Sequence, residues 1–217
     1  MLDKKNSASD AVDIFYNPLD VPLETQHVFL NPSLHHFQKT CRIGETGFGT
    51  GLNLIAAAEL FLRLSPPDAT LTFISTEVAP LSLPDMAAYH ATWPEHLQPL
   101  AASLHAIYPA CLQTRQTLHP RVFVEVLPGD AAASLQAYQG APMDAWFFDG
   151  FAPAVNPLMW TQPLFQAAAR LSIPQHTTYG TFTAAGWVRQ NLQDAGFSVE
   201  KIKGYGRKRH CLRGVRV

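Results

Sequence analysis

Residues 42–57 read RIGETGFGTGLNLIAA, with glycines at Gly47, Gly49 and Gly51 and an acid, Glu45, two residues ahead of them. The preceding TCRIGE has the composition of a short buried strand, and the periodicity predicts a helix from Asn53 to Leu64. Strand, glycine turn and helix in that order open a nucleotide-binding α/β unit. A plain tight connection uses the same residues, so the loop has to be judged with the rest of the chain.

Working outward, ATLTFISTE (69–77), RVFVEVLPGD (121–130) and MDAWFFDG (143–150) read as further strands, and TTYGTFT as strand-like. Residues 131–139, PLFQAAARL and AAGWVRQNLQDAG read as helices, the last stopped by Gly196. Residues 80–118 are rich in Ala and Leu and broken by Pro84, Pro94, Pro99 and Pro109, which predicts several short helices. AVDIFY and QHVFL, within residues 1–40, look β-like, and the C-terminal FSVEKIKGYGRKRHCLRGVRV reads as two strands around a glycine-rich turn. Strands alternating with helices predict a mostly parallel, doubly wound sheet, whose ligands sit beyond the carboxyl ends of the strands. Acids fall at those ends: Glu45, Glu77, Asp130 and Asp149.

The loop spacing is G-x-G-x-G rather than the G-x-G-x-x-G of dinucleotide folds. A carboxylate at Glu45 would repel a pyrophosphate but can organise the aminoacyl end of S-adenosylmethionine. The Lys-Ser/Thr pair of a P-loop is missing. On the loop alone NAD and S-adenosylmethionine both remain admissible. Glu77 is placed to accept from both ribose hydroxyls, and Asp130 from an adenine amino group, although Asp130 also suits a helix N-cap. Phe48 and Asn53 complete the expected cofactor set.

The 217 residues suit about one domain. Three widely spaced cysteines, Cys41, Cys111 and Cys211, show no metal-ligand spacing and fit a reduced, cytoplasmic setting. His35-His36 lacks a third ligand. There is no signal peptide and no apolar run of membrane-spanning length. Seven of the sixteen Lys and Arg lie in residues 201–217 without an acid, which points to a polyanionic partner or to a solvated hairpin.

DAWFFDGFAPAVNPLMW (144–160) delivers Asp149 from a buried strand into a turn shaped by Gly150 and Pro153 and carrying Phe151. An alkyl amine has a reference pKa near ~10 and must be neutral to attack. A carboxylate there can orient the amine and take its proton, while positioning supplies most of the acceleration.

The strings ETGFGTGLN (45–53), FISTEVAPLSLPDMAAYHATWPE (73–95), DAWFFDGFAPAVNPLMWT (144–161), GTFTAAGWVRQNLQDAGF (180–197) and KGYGRKRHCL (203–212) resemble the methyltransferase part of the MnmC-type enzymes. Those enzymes finish 5-methylaminomethyl-2-thiouridine at the tRNA wobble position. The resemblance implies a Rossmann-like class I S-adenosylmethionine methyltransferase sheet with helices on both faces, a C-terminal β-hairpin and a small N-terminal β extension. It implies an extension or lid over residues 1–40 and the methyltransferase domain over 41–217. Glu45, Gly47, Gly49 and Gly51 would form the methionine-side loop, Glu77 would hold the ribose and Asp130 the adenine. Asp149 would hold the acceptor amine, Phe151 and Pro153 the uridine, and Lys203, Arg207, Lys208 and Arg209 the anticodon-loop phosphates. Phe48, Tyr179, Trp187 and Tyr205 are candidates to stack on a splayed base, with core packing favoured for Trp187.

The chain departs from the family in four ways. No second glycine fingerprint marks the flavin-dependent oxidase, so the expectation is a stand-alone or excised methyltransferase, with a separate FAD-dependent oxidase as a conceivable partner. Gln175 and His176 stand where relatives tend to have a Gly pair. KRHC replaces KREM, and NPSLHHFQKTC (31–41) looks short. The competing readings are methylation of another amine and a binding-only domain.

Overall fold

The computed structural model describes residues 21–34, 39–206 and 208–217. Its centre is an eight-stranded sheet in the order β3-β4-β2-β1-β5-β6-β8-β7. β1 (Thr40–Thr46), β2 (Thr70–Glu77), β4 (Val122–Pro128), β5 (Ala145–Phe148) and β6 (Thr178–Thr181) run parallel. β3 (Gln116–His119) lies antiparallel on one edge, and β7 (Glu200–Lys203) with β8 (His210–Val215) forms the expected C-terminal hairpin on the other. The chain runs from β1 toward β4 on one side, then resumes with β5 on the other side of β1. That reversal is the switch point at which parallel sheets open a ligand crevice.

Alternation of side chains along each strand splits the apolar residues between two faces. Ile43, Phe73, Val124 and Phe147 pack on one side with α3 (Leu52–Leu64), α4 (Leu83–His90) and α5 (Gln98–Ile107). Ile74, Trp146, Phe148 and Tyr179 pack on the other with α6 (Ala131–Ala137), α7 (Gln162–Arg170) and α8 (Gly186–Asp194). Both faces are covered, as a parallel sheet requires.

Three sequence expectations are corrected. QHVFL is not a strand: α1 (Leu23–Thr25), a π-helical turn (Gln26–Leu30) and α2 (Asn31–Ser33) follow one another as short helical turns. These turns bury Val28, Phe29 and Leu30 against the sheet, and Thr178 Oγ1 donates to the Ser33 carbonyl at 2.6 Å. Burial of three consecutive residues mimicked a strand. AVDIFY lies outside the described residues. Gln116–His119, placed among the short helices, is an edge strand; it buries only Leu118 and so carries little β signal. Trp187 is 43% exposed on α8, whose buried side is Val188 and Leu192, whereas Tyr179 is a core residue whose hydroxyl donates to the Ser198 carbonyl. Gln175 adopts φ 59°, the left-handed conformation that glycine takes without strain, and its N–H donates to the Arg216 carbonyl.

Gly44 on β1 faces Trp146 on β5 in register, and a Cβ there would come within 2.3 Å of the indole ring. Trp146 is fully buried and donates its Nε1–H to Ser172 Oγ, so it has no room to retreat. Gly44→Ala is expected to lower stability by about 1–3 kcal/mol through overpacking, read as a lower midpoint in urea unfolding.

Candidate active site

A cavity of about 790 Å³ opens at the carboxyl ends of β1, β2, β4 and β5, within the size range of small-molecule sites. Of the residues singled out from sequence, Gly47, Phe48, Gly49, Asn53, Glu77, Asp130, Asp149, Phe151 and Lys208 line it. Gly51 caps α3 behind the loop. Pro153, Lys203, Tyr205 and Arg209 are not among the lining residues, and Arg207 lies outside the described residues.

Gly47, Gly49 and Gly51 all have positive φ (78°, 51° and 75°), so the loop needs glycine for its path. At Gly47 there is a second reason: a Cβ would stand 2.9 Å from the Gly150 Cα, because the β1 and β5 loops touch backbone to backbone. The loop hangs from β2. The N–H groups of Gly47 and Phe48 donate to the Thr76 carbonyl, and Gly49 N–H donates to Glu77 Oε2 at 2.9 Å. Glu77 Oε1 accepts from Ala79 N–H, and each carboxylate oxygen keeps a further lone pair for a hydroxyl. Asp130 does cap α6, its Oδ1 accepting from Ala133 N–H, while also lining the cavity.

Glu45 differs from expectation: it does not reach the cavity. It is 1% exposed, with one oxygen accepting from Asn53 Nδ2 at 2.8 Å and the other from Ser75 Oγ. Asn53 is the residue that faces the space in its place. Its Nδ2 also donates to Asp149 Oδ2 at 2.7 Å, and its Oδ1 accepts from Thr25 Oγ1 at 2.9 Å. Asp149 Oδ1 accepts from Gly150 N–H, and the Asp149 backbone is tied to the Thr46 hydroxyl of β1 in both directions.

Burial raises the Glu45 carboxyl well above its ordinary value, Ser75 opposing and Asp149 adding to the shift. Burial also raises Asp149, to about 6, against the donors Gly150 and Asn53 and the charge of Lys208. A carboxyl with such a value can exchange a proton just below neutrality.

Sequence reasoning missed Glu24, Thr25, Phe29 and Phe182, all of which line the cavity. Glu24 pairs with Lys208 at 2.8 Å across 184 positions of sequence, so no local pattern could announce the contact. Lys208 in turn sits over the Phe182 ring. The rest of the basic strip is partly used internally. Arg213 forms a double hydrogen bond with Glu200 and Arg216 donates to the Gly196 carbonyl, whereas Lys201, Lys203 and Arg209 are exposed. Among the described residues no group of three His, Cys, Asp or Glu could hold a metal, and no helix is long and apolar enough to cross a membrane.

The donor set fits S-adenosylmethionine. Glu77 already occupies a loop amide that a pyrophosphate would need, and the acids Glu77, Asp130 and Asp149 suit a cationic ligand carrying hydroxyls and an amino group.

Comparison with known proteins agrees. Residues 95–217 match the model of a family described as S-adenosyl-L-methionine-dependent methyltransferase. The tRNA 5-methylaminomethyl-2-thiouridine biosynthesis bifunctional protein MnmC of Pseudomonas paraeruginosa is 44% identical over 214 residues, covering 94% of this chain and 32% of that protein. Its counterpart in Pseudomonas syringae pv. syringae is 45% identical over 216 residues, covering 95% and 32%. The chain therefore spans about a third of the length of the curated relatives it matches. The crystal structure of MNMC2 from Aquifex aeolicus shares the fold, with a TM-score of 0.74 at 24% identity over 88% of this chain and 60% of that one.

The buried Glu45 gives a stability test. Its folded carboxyl titrates above the unfolded value of ~4.3, so above that pH the native state holds a proton that the unfolded chain has released. Stability therefore falls as pH rises from there toward the raised folded value. Glu45→Gln keeps an acceptor for Asn53 and loses this slope. In thermal melts, its Tm relative to the unsubstituted protein should climb from pH 5 to pH 8; a constant difference would contradict the assignment.

Proposed function

The chain belongs to the S-adenosyl-L-methionine-dependent methyltransferases, and from that premise we propose that it methylates the aminomethyl nitrogen of a tRNA wobble uridine, giving 5-methylaminomethyl-2-thiouridine. The observation that carries the choice of an amine is Asp149: a carboxylate beside the glycine loop, fixed by Asn53 and Gly150, with its pKa raised to about 6. The names of the curated relatives support tRNA as the bearer of that amine.

When bound, S-adenosylmethionine supplies an electrophilic methyl group on sulfur, which a neutral amine takes as the carbon–sulfur bond breaks. The glycine loop and Asn53 would hold the methionine end, Glu77 the ribose hydroxyls and Asp130 the adenine amino group. Glu45 acts one layer below by fixing Asn53. Asp149 would orient the acceptor and take its proton, and Asn53 holds the carboxylate in place for both tasks. Phe151 and Pro153, on the turn after β5, would shape the uridine pocket. Lys203, Tyr205 and Arg209 on the hairpin, together with Arg207, would meet the anticodon loop. Helical turns 23–33 would serve as the lid, since Glu24, Thr25 and Phe29 close one side of the cavity. A cytoplasmic location and a separate FAD-dependent oxidase that prepares the amine complete the proposal.

The test is incubation of tRNA bearing 5-aminomethyl-2-thiouridine with S-adenosylmethionine, followed by mass spectrometry of its nucleosides. One added methyl on the wobble nucleoside is expected; transfer to free amines but not to this tRNA would favour the small-molecule reading. Asp149→Asn should lower kcat by about 10²–10⁴. For the unsubstituted enzyme, kcat/KM should rise with pH through about 6 as Asp149 ionises. Lys203→Ala with Arg209→Ala should weaken tRNA binding and reduce its salt slope by roughly 0.7 for each phosphate no longer neutralised, measured by filter binding across a salt series.

A further inference from the structure

Lys208 belongs by sequence to the basic strip, but its side chain lines the cavity instead. Nζ lies 2.8 Å from Glu24 Oε1 and 4.4 Å from the centre of the Phe182 ring, and both partners line the same space. Phe182 is itself braced edge-on by the buried Trp160, so the cation rests on a fixed surface.

We propose that Lys208, clamped between Glu24 and Phe182, is a positioning residue that keeps the incoming alkyl amine neutral beside Asp149, rather than a contact to tRNA phosphates. The proposal rests on the amine-acceptor reading above. An alkylammonium has no lone pair to give, and its reference pKa of ~10 leaves almost none of it neutral at pH 7. A like charge within ~4–6 Å disfavours the charged form, and a neighbouring cation is a known way to activate an amine. The proton then passes from the amine to an Asp149 carboxylate oxygen: the N–H bond breaks, the O–H bond forms, and the electron pair stays on nitrogen for the methyl group.

Among the described residues, Glu24, Glu77, Asp130 and Lys208 share the cavity wall with Asp149. Lys208 and Glu24 act on it in opposite senses, and Glu45 lies behind it through Asn53. Glu77 stands in the wall at the end of β2. Glu24 therefore tempers the field of Lys208 as well as holding it in place.

Two measurements test the proposal. The first is the pH dependence of kcat on aminomethyl tRNA for the unsubstituted enzyme, Lys208→Met, Lys208→Arg and Glu24→Gln. The ascending limb should move up by about one pH unit in Lys208→Met and down by a similar amount in Glu24→Gln. Lys208→Arg should stay near the original, and the salt dependence of tRNA binding should not change. The second is the carbon-13 titration of the Asp149 carboxyl in the same proteins without substrate, which should shift in the same two directions. An unmoved limb with a reduced salt slope in Lys208→Met would make the residue a phosphate ligand and overturn the proposal. If the unsubstituted enzyme leaves this tRNA unmethylated, the tRNA reading fails by itself; an Asp149 titration unmoved in both Lys208→Met and Glu24→Gln then overturns the proposal separately.

Discussion

The Asn53 amide carries the burden of this site. Its two Nδ2 hydrogens go to two different carboxylates, Glu45 beneath and Asp149 beside the cavity, and its carbonyl oxygen accepts from Thr25. With both Nδ2 hydrogens donated and Oδ1 accepting from Thr25, the amide has one orientation and keeps one acceptor lone pair. Two buried acids share this donor, and burial raises the pKa of each, with the Asp149 charge adding to the rise at Glu45. Leaving a buried acceptor without its donor costs about 1–3 kcal/mol, more for a charged one. The placement of Asp149 and the seating of Thr25 beside it therefore hang on one side chain in the first turn of α3.

The frame of the fold was legible because its signals are local. β1, the glycine loop and α3 are contiguous, and the strands ending in Glu77, Asp130 and Asp149 announce themselves by β-branched and aromatic runs closed by an acid. Expectation and structure part where burial and period disagree. Val28, Phe29 and Leu30 are apolar at successive positions because the π-helical turn Gln26–Leu30 is wedged against the sheet, and Gln116–His119 is a strand with one buried residue. The site was legible in its acids but not in their depth. Glu45 and Asp149 look alike in sequence, yet β1 buries the first behind Asn53 while the turn after β5 brings the second to the surface of the cavity. Glu24, Phe182 and Lys208 could not be assembled from sequence, since their proximity is made by the tertiary fold.

Charge distribution explains why the strip after residue 200 divides its labour. Arg213 is neutralised by Glu200 within the hairpin and Arg216 ties down the Gly196 carbonyl, so these two cations hold the edge of the sheet. Lys201, Lys203 and Arg209 face solvent. His27 adds a link between the ends, its ring bonded to the Lys203 carbonyl at 2.7 Å. The hairpin is thus a brace for the helical turns 23–33 and a charged outer face at once.

The contact between Glu24 and Lys208 spans 184 positions. During synthesis, β1, its glycine loop and α3 have emerged long before the hairpin exists, and the cavity at that stage lacks one wall. Long-range contacts of this kind close last, after the local ones have formed. A nascent chain can therefore assemble the glycine-loop side of the cavity early, yet the wall formed by Glu24 and Lys208 waits for residues beyond 200. The order of translation keeps the cavity open on that side until Lys208 has been made.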